Sequence, residues 1–397
     1  MMPNKSIMIL GASELQLPAI KMAKKMGLQV IAVDMDKNAV GFKFADIGLE
    51  ISTLEKEKIL EFASALNVSG IMTLASDQPM NTVAYVGNRL NLKVISERVA
   101  ICTTNKGVMR DTLKKNKIAI PDYKIIKDFE GFLKEIKKFN LPCIIKPTDS
   151  SGSRGVQLKC DLNSLDEAYF YSSNYSRNGE IIIEEFMQGR EFSVESMSFD
   201  GTPKIIAITE KETTGAPHFV EMGHIIPANI SKVEEQQIKE IVESTIKALE
   251  ITDGPSHCEV MLTESGPKIV EIGARLGGDN ITTHLVPLAT GYNIVKATIN
   301  YAIDKEDVEQ VKYRKTAIIK YINIAKCGQI KKVTGLKNIE KSNKFVELKI
   351  NKKKGDFHDI LKSSSDRVGY FILNGENRES IILEAEELLS KVEIIID

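Results

Sequence analysis

The stretch His257-Cys258-Glu259-Val260-Met261-Leu262-Thr263-Glu264-Ser265-Gly266-Pro267-Lys268-Ile269-Val270-Glu271-Ile272-Gly273-Ala274-Arg275 reads as two strands joined by a tight turn. Ser256–Thr263 and Lys268–Ile272 form a hairpin pattern. A three-residue turn over Glu264–Gly266, with Gly266 left-handed, sets Thr263 opposite Pro267 and Glu259 opposite Glu271. Residues so opposed hold their Cβ atoms about 5 Å apart on one face of the ladder. Two such carboxylates repel unless a cation lies between them. Oxygen donors without histidine or thiolate suit Mg²⁺, and Mn²⁺ as well. A two-residue turn would break the pairing, and the pattern also fits two solvated glutamates in an ordinary hairpin. Arg275 shares the parity of Glu271 and Gly273. It either meets transferring phosphoryl oxygens or a substrate carboxylate there, or makes a surface salt bridge. His257 shares the parity of Glu259, so it either lines the same cleft or is a structural histidine.

Upstream, Cys143-Ile144-Ile145-Lys146-Pro147 is a strand that delivers a lysine. Ser150-Ser151-Gly152-Ser153-Arg154-Gly155 follows as a loop of small residues. Such a loop can turn backbone N–H groups toward an anion, and Lys146 adds a point charge for phosphate. It equally fits a flexible hairpin tip. No Gly-Lys-Ser/Thr follows, so it is not a Walker A loop. Ile181-Ile182-Ile183-Glu184-Glu185-Phe186-Met187 is a strand ending in acids and an aromatic. Backbone there can read an adenine edge and Glu191 ribose hydroxyls, or the strand simply leaves the core into a charged turn. The segment Pro217–His224 reads as a loop able to cover a substrate. No pattern resembles a Ser–His–Asp triad.

The first hundred residues alternate strand and helix: strands at Ser6–Leu10, Gln29–Val33 and Gly70–Leu74, helices at Leu17–Met26 and Glu55–Leu66. Alternation of this kind predicts a parallel sheet with crossover helices. Gly11 and Asp34 invite a dinucleotide reading, but the second and third glycines of the fingerprint are absent, so the backbone cannot approach a pyrophosphate closely. Thr104–Lys115 reads as one basic helix. From about Asp304 the pattern shifts to shorter β-like runs dense in lysine.

A length of 397 residues suggests two or three domains. Fifty-three basic against fifty-four acidic side chains, a net charge of −1, argue against a general nucleic-acid binder. No apolar run reaches the length of about 18 residues that spans a bilayer, so no membrane role is expected. The five scattered cysteines, without a CxxC pair, point to a reducing, cytoplasmic setting.

Taken in order, the α/β start, Lys106, Lys146, the small-residue loop, Glu-Glu-Phe-Met, Glu259 and Glu271 resemble the ATP-grasp superfamily. Glu-Ile-Gly-Ala-Arg-Leu-Gly-Gly-Asp at 271–279 and Asp366-Arg367-Val368-Gly369-Tyr370 resemble its amino-acid-ligase and carbamoyl-phosphate-synthase-like branch. The resemblance implies an α/β (α+β) fold: a Rossmann-like domain over 1–100, an ATP-grasp domain of two lobes over 101–303, and a small biotin-carboxylase-like domain over 304–397. It implies that Lys106 and Lys146 hold the α/β-phosphates and that Ser150, Ser151, Gly152, Ser153 and Gly155 fold over them. Glu184, with the backbone of Glu185 and Met187, would read adenine, and Glu191 the ribose. Glu259 and Glu271 would hold Mg²⁺, and Arg275 would act on the transferred phosphoryl group or the acyl phosphate. Many members carry asparagine two residues after the second metal glutamate, where this chain has Gly273. A metal ligand is then missing or supplied by water.

The activity implied is an ATP-dependent carboxylate–amine ligase working through an acyl phosphate on an amino acid or small amino-carboxylate. Its partners would be ATP and small substrates, with a homodimer compatible. The rival readings are a purine-pathway enzyme of the glycinamide-ribotide transformylase or aminoimidazole-ribotide carboxylase type, a non-catalytic ATP sensor, and a nicotinamide oxidoreductase on the first domain. The sequence assigns no role to His218, Glu221 or His224.

Overall fold

The structure, a computed structural model, describes residues 5–305, 310–312, 314–324 and 326–397. Four parallel strands open the chain, in the order Ile47–Glu50, Gln29–Asp34, Ser6–Leu10, Gly70–Thr73. The strand Ile47–Glu50 is one that the sequence pattern did not show. The first turn explains why this domain lacks a dinucleotide fingerprint. Asp34 Oδ2 accepts from Ala12 N at 2.8 Å, and the Gln16 side chain lies where a Cβ on Gly11 would be. The acid that could have met a ribose closes the turn instead.

The expected basic helix at Thr104–Lys115 is a correction. Glu97–Thr104 and Lys106–Lys115 are separate helices, broken at an extended Asn105 whose side chain accepts from Val108 N. An N-cap of this kind satisfies a free N–H and starts a new helix axis. Lys106 therefore becomes the first residue of its helix.

Residues 123–185 form a four-stranded antiparallel sheet in the order Tyr123–Ile126, Ile181–Glu185, Cys143–Pro147, Gln157–Lys159. Cys143, Ile145, Ile181 and Ile183 pack with Phe132 and Tyr169, from the helices Phe129–Glu135 and Leu165–Ser173. The period of two then sends Lys146 and Glu184 to the opposite face.

The larger sheet has eight strands in the order Gly266–Gly273, Gly254–Thr263, Arg190–Phe199, Thr202–Thr213, Glu221–Ile226, Thr316–Ile322, Gly369–Gly375, Phe345–Ile350. Phe192, Val194, Cys258, Val260, Ile269 and Ile272 share a core with the helix Lys232–Ala248. Ser193, Glu195, His257 and Glu259 alternate with them. The last three strands come from the C-terminal region, so that region continues this sheet. The segment Glu221–Ile226, expected as part of a covering loop, is one of its strands and buries His224.

Candidate active site

The hairpin that decides the site differs from its expected form in a way that preserves the outcome. Thr263 pairs with Gly266, so the turn holds two residues rather than three. A bulge then restores the register: Val260 pairs with Ile269, but Glu259 pairs with Glu271. An extra residue in one strand flips the parity beyond it. Ile269 and Ile272 can then both be buried while Glu271 faces the cleft. The bulge is held from outside. Arg110, fully buried, donates to Val270 O at 2.7 Å and Ile269 O at 3.3 Å.

The third donor of Arg110 crosses to the smaller sheet. Its Nε lies 2.8 Å from Glu184 Oε1, and Lys146 Nζ lies 2.7 Å from Glu184 Oε2. Burial opposes charge on Glu184, but these two cations outweigh it and hold the carboxyl down to about 2. Burial also draws Lys146 below the usual lysine range. Each oxygen of Glu184 thus has a cationic partner, and the carboxylate ties Lys146 to Arg110.

Each of the opposed glutamates carries an ammonium. Lys106 Nζ lies 3.0 Å from Glu271 Oε1 and donates to Ser150 O at 2.7 Å. Lys211 Nζ lies 3.0 Å from Glu259 Oε1 and 3.9 Å from Glu221, and it hydrogen-bonds Glu191. Burial works against charge on Glu259, yet the Lys211 and His257 cations hold it well below the usual carboxylate range.

In the next row of the sheet His257 pairs with Glu195 on one side and Gly273 on the other. His257 Nδ1 bonds Glu195 Oε1, while Glu195 Oε2 is buried without a partner. Burial disfavours the imidazolium, but Glu195 lifts His257 to about 9. A Cβ on Gly277 would sit 2.6 Å from His257 Nδ1, so the bare backbone there makes room for this pair.

Arg275 Nε is 2.7 Å from Asp77 Oδ1, an acid brought in by the turn after the last parallel strand. A Cβ on Gly273 would lie 3.1 Å from that Oδ1 and 3.2 Å from Arg275 Nε. A side chain at Gly273 would thus crowd the Asp77–Arg275 pair, which would have to give by a few tenths of an ångström. Gln78, next in the turn, donates to Asp149 O at 2.8 Å and is bonded by Arg177. One turn of the first domain so grips both the arginine and the root of the small-residue loop. In that loop Gly152, Ser153 and Gly155 have φ of +66°, +59° and +75°. A run with such residues turns N–H groups inward.

These groups line a cleft of about 210 Å³ with Ser150–Arg154 on one rim and Phe186, Met187 and Phe219 on another. It holds every residue expected from the sequence except Gly155, which packs nearby against Pro147 and Tyr175. Glu185 is drawn aside by Lys268 at 3.0 Å, and its backbone N–H is used by Asp122 O. A second cavity of about 670 Å³ adjoins, sharing Lys211, Glu221, His257, Glu259 and Arg275 and adding Ser76, His224, Asp279 and Arg367. There Arg367 grips Asp279 through both Nη atoms, at 2.9 and 2.8 Å, and stacks 3.6 Å from the Tyr321 ring.

Sequence reading missed Arg110, Lys211, Asp77 and Glu195. Glu195 carried a faint signal, since it alternates with apolar residues in a β-like run, and Lys211 stands between Glu210 and Glu212 just past another. Asp77 and Arg110 carried none, because their partners lie far away in the chain. Among the described residues no cluster of three or more His, Cys, Asp or Glu forms a preset metal cage. Two facing carboxylates do fit Mg²⁺, which is commonly held by one or two carboxylates plus phosphate oxygens. Among the described residues no helix is long and apolar enough to cross a membrane.

Residues 139–283 match the model of the ATP-grasp domain, and residues 320–397 that of the L-amino acid ligase C-terminal domain 2. The chain is 26% identical over 294 residues to an L-arginine-specific L-amino acid ligase of Bacillus subtilis, covering 72% of this chain and 70% of that one. It is 26% identical over 242 residues to a phosphoribosylamine–glycine ligase of Lactococcus lactis subsp. lactis, covering 58% of each. The aligned stretches thus leave about a third or more of these relatives' lengths unmatched. The crystal structure of an L-amino acid ligase from Bacillus licheniformis has the same fold, with a TM-score of 0.85, 22% identity and 99% of both chains covered. This chain therefore carries an ATP-grasp domain over residues 139–283. Its C-terminal segment is of the L-amino acid ligase kind.

Proposed function

We propose that the chain is an ATP-dependent carboxylate–amine ligase that forms an acyl phosphate on an amino acid or small amino-carboxylate. The observation that carries this is the joining of two cavities at Lys211, Glu259 and Arg275. A nucleotide in the first would end its phosphates where a second substrate could meet them.

Lys106 and Lys146 would hold the α/β-phosphates, the Ser150–Gly155 loop would cover them, and Glu191 would meet the ribose. Apolar Ile144, Phe186, Phe219 and Met261 line the space for the base. Glu259 and Glu271 would hold Mg²⁺, or Mn²⁺ in its place. The metal neutralises charge on the β/γ oxygens when bound. Arg275, steadied at Nε by Asp77, keeps Nη2 without a partner among the described residues. It would meet the transferred phosphoryl group or the substrate carboxylate.

A carboxylate resists an amine because oxide is a poor leaving group. Phosphorylation turns one oxygen into phosphate, the amine attacks the carbonyl carbon, and the C–O bond to phosphate breaks, giving amide, ADP and phosphate. The loop would exclude water that would otherwise consume the intermediate. The C-terminal match favours an amino acid over a ribotide substrate. The five unpaired cysteines suit a cytoplasmic enzyme.

Phosphate release from ATP and Mg²⁺, screened against amino acids singly and in pairs, tests the reading. Stimulation by a carboxylate–amine pair is expected. ATP binding with no stimulation by any carboxylate would sink it in favour of a sensor.

A further inference from the structure

Glu259 and Glu271 face each other in the ladder, but each already has a cation. Lys106 reaches Glu271 from the start of a helix, and Lys211 reaches Glu259 across the intervening strand Arg190–Phe199, both at 3.0 Å. The lysine side chains are 9% and 4% exposed. A displaced Lys106 must find another anion inside the cleft, whereas a displaced Lys211 loses one of several anionic partners. Among the described residues Lys106 has the neutral carbonyl of Ser150 as its second partner, while Lys211 keeps Glu191 and, at 3.9 Å, Glu221.

We propose that Lys106 and Lys211 are resident counter-ions of this glutamate pair, so that divalent metal and nucleotide enter only together. A bare divalent ion would have to stand beside two buried ammoniums, and like charges at such range cost several-fold more than in water. The phosphates of a nucleotide remove that penalty. They offer each lysine a new anion as it gives up its carboxylate, leaving the carboxylates to the metal. Lys106 has the shorter course, because Ser150 at the mouth of the small-residue loop already binds it. Lys211 lies where the two cavities meet, so its release would turn a cation toward the reacting end of the phosphates. The pairs thus guard the site against metal without nucleotide. With two carboxylates and no third acidic ligand among the described residues, the glutamates alone are a poor trap for a metal in any case.

This inference rests on the nucleotide reading above. Its test uses Mn²⁺ as a paramagnetic probe, with free Mn²⁺ counted by electron paramagnetic resonance, for the full chain with and without ADP. Lys106→Met and Lys211→Met are compared separately, with thermal melts to show that each is folded. Wild type should bind Mn²⁺ weakly alone and tightly with ADP. Each variant should bind Mn²⁺ alone about tenfold more tightly than wild type, and Mn²⁺ with ADP about tenfold more weakly. This reversal of sign is one that a merely structural lysine would not give. If the wild type holds Mn²⁺ with ADP but folded variants bind Mn²⁺ alone no better, the exchange is overturned and the nucleotide reading stands. If no form holds Mn²⁺ with ADP, both fall. Should one variant fail to fold, the other decides.

Discussion

Glu259 and Glu271 stand directly opposite each other although only two residues turn the chain between their strands, because a bulge at Val270 corrects the register. In the proposed reading these two carboxylates hold the divalent ion. Glu271→Gln keeps the shape and removes the charge. It should lower turnover by about a hundredfold or more with a small change in melting temperature. Near-full activity in a folded variant would remove Glu271 from the metal set.

Gly277 lies against the Glu195–His257 pair, with only 2.6 Å from an added Cβ to His257 Nδ1 and 2.9 Å to Glu195 Oε1. Neither partner can retreat into a packed sheet. Gly277→Ala should therefore destabilise the fold by roughly 1–3 kcal/mol, measured by urea denaturation. An unchanged midpoint would mean that this pair is free to move.

Asp77 and Gly273 share one space beside Arg275. Gly273→Asn should displace the Asp77–Arg275 pair and depress turnover. Adding Asp77→Ala to it should cost less than the two single effects combined, with a coupling of about 0.5–3 kcal/mol. Strict additivity would show that the two positions do not compete.

Glu184 contributes its own share of the pH dependence. Its folded value, about 2, lies below the ordinary 4.5. The stabilisation is complete above about 4.5 and is lost as the pH falls from there through about 2, for a total of roughly 3 kcal/mol. Denaturation midpoints of wild type and Glu184→Gln should differ most near neutrality and converge in acid. Curves that stay parallel down to that range would contradict the Arg110–Glu184–Lys146 arrangement.

Local patterns carried much of this architecture. Alternation gave the parallel first sheet, and the helices Leu17–Lys25 and Lys56–Ala65 fall within the segments whose periodicity predicts them. The facing of Glu259 and Glu271 was legible, but through a turn the chain does not make. The bulge left no mark in the sequence because it depends on Arg110, whose carbonyl partners lie 159 and 160 residues away. Asp77 was hidden for the same reason, at 198 residues from Arg275. Asn105 could have been read as a helix cap, and the basic run around it concealed the break.

The acyl phosphate is the centre of this account, and hydroxylamine can trap it without knowledge of the natural amine. The chain, ATP and Mg²⁺ are mixed with hydroxylamine and one amino acid at a time, and hydroxamate is measured beside ADP. The account predicts that at least one amino acid yields hydroxamate in step with ADP, and that Glu271→Gln yields neither. ADP formation without hydroxamate for every carboxylate supplied would contradict it.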